Sequence, residues 1–106
     1  MRPGIGFFVS RQALTAMATI KVETASPTSY HVTVEEHGRT TTHTVAATPE
    51  DVARYAPEGT SPERLLEASF TFLLAREPAS AILSAFALPV IERYFPEYPR
   101  VIRTMV

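Results

Sequence analysis

Three histidines, His31, His37 and His43, fall within one short stretch of this 106-residue chain. Imidazole nitrogens gathered at close range can ligate zinc or move protons. Adjacent acids lie close by, at Glu35-Glu36 and at Glu50-Asp51, and paired carboxylates can divide general-acid from general-base work. Serine and threonine are frequent, yet none stands beside a base in a pattern that would activate it as a nucleophile. The chain has no cysteine, which removes disulfides, thiolate ligands and thiol nucleophiles together. The sequence also lacks a Gly-rich phosphate loop, a G-x-S-x-G elbow, an H-E-x-x-H pair and an acidic cation loop.

Whether the histidines can meet depends on the elements that carry them. Ile20 and Val22 alternate with Lys21 and Glu23, a period of two that predicts a short strand ended by the turn cluster Ala25-Ser26-Pro27-Thr28-Ser29. Tyr30, Val32 and Val34 alternate with His31, Thr33 and Glu35 in a second strand, which runs into Glu36-His37-Gly38-Arg39. Gly38 can take the positive φ of a tight hairpin, and the β-branched run Thr40 to Ala46 forms the third strand. A turn centred between His37 and Gly38 sets Val32 opposite His43 and Tyr30 opposite Val45. One face then holds Tyr30, Val32, Val34, His43 and Val45, while His31 points the other way and His37 sits in the turn. The histidines are scattered, so the expectation is no metal site, with His43 a half-buried sheet residue that finds a hydrogen bond. The acids are expected to be structural too, one pair at the hairpin and the other at a helix start, where the dipole favours them. These readings predict no catalytic residue, no cofactor and no enzyme.

Beyond the strands the period lengthens. Thr48-Pro49-Glu50-Asp51 combines an N-cap, a proline in the first turn and early acids, and predicts a two-turn helix ended by Pro57-Glu58-Gly59. Ser61-Pro62-Glu63 repeats the signal and opens the central helix, whose wide apolar face (Leu65, Leu66, Phe70, Phe72, Leu73) is expected to cover the sheet. Glu77-Pro78 stops it, because the residue before a proline is pushed out of the α region. A short helix over roughly Ala79 to Phe86, another from Leu88-Pro89 to about Phe95, and a tail over Val101–Val106 complete the expectation. The predicted fold class is α+β, a three-stranded antiparallel β-meander followed by three to four short helices packed on one face.

Several of these segments are distinctive. Residues from about Ile20 to Ile102 resemble a group of small uncharacterised bacterial proteins built from a short β-meander followed by helices. The likeness rests on Ser61-Pro62-Glu63 leading into Leu65-Leu66, on Phe70-Thr71-Phe72-Leu73-Leu74-Ala75-Arg76-Glu77-Pro78, on Ile82-Leu83, and on Val90-Ile91-Glu92-Arg93-Tyr94-Phe95-Pro96-Glu97-Tyr98. The resemblance implies a fold and no chemistry. Members of that group begin close to the first strand, so residues 1–16 are an expected extension, with Met17 the expected native start and 17–106 a single domain. The apolar patch Ile5 to Val9 is shorter than the roughly 7 to 15 residues of a signal-peptide core.

A net charge of −1 gives no electrostatic pull toward nucleic acid or an anionic membrane. No apolar run approaches the roughly 20 residues of a membrane span. Nine arginines against one lysine hint at a GC-rich bacterial source and fit a cytoplasmic protein. The expected function is a small non-catalytic interaction or accessory protein that binds an unknown protein partner or itself. Arginine and aromatic residues concentrate in interface hot spots, so Arg76, Tyr98, Arg100 and Arg103 form the candidate surface. The alternative is a DNA-binding regulator, using the two short helices around Ala87-Leu88-Pro89 as a helix-turn-helix. A small-ligand binder or enzyme comes third.

Overall fold

The computed structural model describes residues 18–106, so the expectations for residues 1–16 and for Met17 lie outside the described residues. In chain order the elements are β1 (Ala18–Ser26), β2 (Ser29–Glu36), β3 (Arg39–Ala46), α1 (Pro49–Tyr55), α2 (Pro62–Leu74), a 3-10 turn (Ala79–Ala81), β4 (Ala85–Ala87), α3 (Val90–Tyr94) and α4 (Tyr98–Ile102). The sheet runs β1-β2-β3-β4, with antiparallel pairing up to β3 and a parallel β3–β4 pair.

The expected hairpin register is the observed one. Val32 faces His43 and Tyr30 faces Val45. His37 and Gly38 both take positive φ, 55° and 76°, the signature of the type I′ turn that matches strand twist. Alternation then sorts the sheet into two faces. Ile20, Val22, Tyr30, Val32, Val34, His43 and Val45 face the helices, and Val32, Val34 and Val45 are fully buried. The opposite face carries Lys21, Glu23, His31, Thr42 and Thr44, all exposed.

The meander is corrected to a four-stranded mixed sheet, because the helix expected over Ala79–Phe86 is instead a 3-10 turn and a strand. A short apolar run cannot by itself distinguish helix from strand. Here the free edge of β3 decides: Thr44 N–H donates to the Ser84 carbonyl at 2.8 Å, and Leu88 N–H donates to the Ala46 carbonyl at 2.8 Å. That pairing also lays Phe86 beside Phe70, with ring centroids 6.2 Å apart.

The two longer helices start where their caps predict. Thr48 and Asp51 form a reciprocal capping box on α1, and Ser61 Oγ accepts from Arg64 N–H on α2. α2 ends at Leu74, ahead of Pro78, and its Ala75 cap stays in the α region. It buries Leu65, Leu66, Ala68, Ser69, Phe70, Phe72 and Leu73, because it is covered on two sides. Phe70 meets His43 and Phe86 from the sheet, while Ser69 and Phe72 meet Tyr98 of α4. The tail expected over Val101–Val106 is packed: Ile102 is fully buried, and Val101, Met105 and Val106 lie against the core. None of the described helices is long and apolar enough to cross a membrane.

Candidate functional site

Of the residues that first invited a chemical reading, His43, Glu36 and Asp51 are hydrogen-bonded within the fold. His43 is 2% exposed, with Nδ1 2.8 Å from the Leu83 carbonyl and Nε2 2.8 Å from Thr41 Oγ1. A carbonyl can only accept, so the Nδ1 proton goes to Leu83, and Nε2 is left to accept from the Thr41 hydroxyl. His31 is exposed on the opposite face of the sheet and His37 is in the turn. Among the described residues no three His, Cys, Asp or Glu side chains gather as a metal would require. Glu36 accepts from Ala79 N–H at 3.1 Å, and Asp51 closes the α1 cap.

The candidate surface of Arg76, Tyr98, Arg100 and Arg103 divides. Tyr98, expected at the surface, is fully buried, and this is a correction. α4 opens at Tyr98 with Pro99 in its first turn, which turns Tyr98 and Ile102 inward on successive turns. The phenol is satisfied there: its oxygen lies 2.7 Å from Ser69 Oγ, which donates to the Leu65 carbonyl at 2.7 Å. Arg76 lies over the Phe72 ring at 3.6 Å, donates to the Phe72 carbonyl and bridges to Glu97 at 3.3 Å. It staples the end of α2 to the start of α4. Arg103 donates to the Arg54 carbonyl from an exposed position, and Arg100 is exposed. The four do not form one patch.

Tyr55 makes a second buried polar link. Its hydroxyl donates to Glu92 at 2.8 Å, and its ring stands 5.0 Å from that of Tyr98. Burial, then the hydrogen bond to the Glu92 carboxylate, push the Tyr55 phenol up to about 12, and burial raises Tyr98 as well. A pKa raised on folding contributes stability that is complete below the unfolded value near 10 and lost as pH rises through the folded one. Unfolding free energy is therefore expected to fall as pH rises above about 10. Urea denaturation at pH 8 and pH 11 checks this, and Tyr55→Phe is expected to shrink the difference. An identical difference in that variant would remove Tyr55 from the account.

What the molecule presents to solvent lies elsewhere. An apolar cleft of about 280 Å³ opens between the end of α2 and the β4–α3 segment, lined by Leu73, Ile82, Leu83, Phe86, Tyr94 and Phe95. Leu83 (47% exposed) and Tyr94 (66%) are the large hydrophobic side chains that the described residues leave in water, and both line it. Glu77 is its one carboxylate. Phe86 of β4 contributes to one wall, and among the described residues β4 is an edge strand. Ser84 and Leu88 turn their backbone groups to β3, so by alternation Ala85 and Ala87 aim theirs outward. Sequence reasoning missed this site because it read Ala79 to Phe86, which contains Leu83 and β4, as a helix. No local signal marked it, since Ala85-Phe86-Ala87 is apolar throughout and reads equally as helix or strand.

The helix pair that motivated a DNA-binding reading is not formed there, since the first of the two is the 3-10 turn and β4. Compared with family models, curated proteins and solved structures, the chain matches none.

Proposed function

We propose that this chain is a small, non-catalytic protein-interaction module that receives an extended segment of a protein partner along β4, with an apolar side chain anchored in the cleft. The carrying observation is the pairing of an exposed apolar cleft with a free strand edge. Edge addition draws affinity from main-chain hydrogen bonds and specificity from pockets for alternate side chains, and both parts are adjacent here. Tyr94 supports the reading as an aromatic of the type enriched at hot spots. Small-molecule sites orient their ligands with several convergent polar groups, whereas Glu77 is the one carboxylate in this cleft. The non-catalytic part is supported by the engagement of both His43 ring nitrogens and by the burial of Ser69 against Leu65 and Tyr98.

The test compares the full chain with its Leu83→Ser/Tyr94→Ser variant as baits in the cytosolic fraction of the native source, where we propose that the protein resides. The expected result is a stoichiometric, nuclease-resistant protein bound by the wild type and lost from the variant, with the urea midpoint little changed, since both side chains are exposed. Equal capture by both baits, or capture that depends on nucleic acid, would overturn the reading.

A further inference from the structure

At the opposite edge of the sheet from the cleft, β1 is a nine-residue strand with no strand beyond it among the described residues. Its outer backbone groups can be assigned. Thr44 and Ala46 of β3 turn theirs to β4, so the odd-numbered residues of β3 face β2, where Tyr30 and Val32 are their partners. The odd-numbered residues of β2 therefore face β1 and pair with Lys21 and Glu23. Ile20, Val22 and Thr24 are left with N–H and C=O groups aimed out of the sheet. A free edge of this kind is a template for another strand.

The charges on that edge are arranged about its midpoint. Val22 is the central residue of Ala18–Ser26, with Lys21 on one side and Glu23 on the other. Both charges are on the open face, with side chains 70% and 62% exposed. We propose that β1 pairs with β1 of a second copy of this chain, antiparallel about a two-fold axis at Val22, joining two four-stranded sheets into one. In that register Lys21 stands opposite Glu23 of the copy, and symmetry makes the pair twice. Val22 meets its counterpart, and Ile20 meets Thr24, on the helix-facing side. Moving the axis one residue either way sets lysine against lysine or glutamate against glutamate, which cross-strand pairing disfavours. A lysine on an edge strand ordinarily repels a second edge. Here the register turns that repulsion into selection of one alignment. The bulge between Thr24 and Ser26 takes the strand's end out of line, so the ladder runs over Ile20–Thr24.

This inference goes beyond the cleft reading and uses a separate surface. Sedimentation velocity on the full chain over a dilution series tests it. The wild type is expected to run as a concentration-dependent dimer. Lys21→Glu is expected to raise the dissociation constant at least about tenfold, and Lys21→Glu/Glu23→Lys to restore it, because the swapped pair is again complementary. Both positions are exposed, and an unchanged urea midpoint in each variant, measured at a dilution where every form is monomeric, confirms that the fold is intact. A monomer at every concentration overturns the proposal, as does a dimer insensitive to Lys21→Glu or a double variant that stays dissociated. Leu83→Ser/Tyr94→Ser is expected to leave the dimer unchanged, so failure of the cleft reading and failure of this one are separately visible.

Discussion

Phe72→Ala is expected to lower the unfolding free energy by about 3–5 kcal/mol, the range for deleting a buried aromatic ring and leaving a cavity. The ring is fully buried and holds three neighbours at once: Phe95 edge-on at 5.8 Å, Tyr98 at 5.3 Å, and the Arg76 guanidinium stacked above it at 3.6 Å. Its removal leaves Arg76 without a surface to lie on and opens the seam between α2 and the C-terminal segment. Small domains have only about 5–15 kcal/mol in total, so this one change is expected to consume a large part of it. Urea denaturation reads it as a large fall in midpoint at nearly constant slope. A loss below about 1 kcal/mol would mean that the ring is not the packing centre described.

His43→Leu is expected to cost about 1–3 kcal/mol, even though the new side chain is apolar and close in volume. The cost comes from the Leu83 carbonyl, which loses the Nδ1–H donor that fixes the chain just before β4. Loss of that tie should be local as well as global. Hydrogen exchange is expected to accelerate at the Leu88 amide, which bonds to Ala46, more than at the amides of β2. Unchanged stability with unchanged Leu88 protection would show that the histidine fills space without anchoring β4.

These two positions mark the divide between what the sequence made legible and what it did not. The β2–β3 register, the turn at His37-Gly38, the face shared by His43 and the starts of α1 and α2 all follow from signals within a few residues of each other: alternation, caps and one glycine. β4 was illegible because its reason is remote. Ala85–Ala87 becomes a strand when it meets the edge of β3, and nothing within the triplet outweighs the apolar pattern that reads equally as helix. Tyr98 failed differently. Beside Arg100 and between two prolines it has the composition of an exposed hot spot, and the Ser69 hydroxyl that makes its burial tolerable is 29 residues away in the chain. The cleft was hidden for the first of these reasons, since Phe86 of β4 contributes to its wall.

Among the described residues, helices cover the sheet on one side, which bears on how the chain can change over time. Along β1, β2 and β3, every second side chain projects into water, where substitutions usually shift stability by less than about 0.5 kcal/mol. Outward positions other than Lys21 and Glu23, such as Thr42 and Thr44, are therefore expected to tolerate substitution, while Val32, Val34, His43 and Val45 hold the architecture in place. Such a surface can accumulate new chemistry without renegotiating the fold. Comparisons that weight all strand positions equally would see divergence where the inward-facing half still spells the same structure.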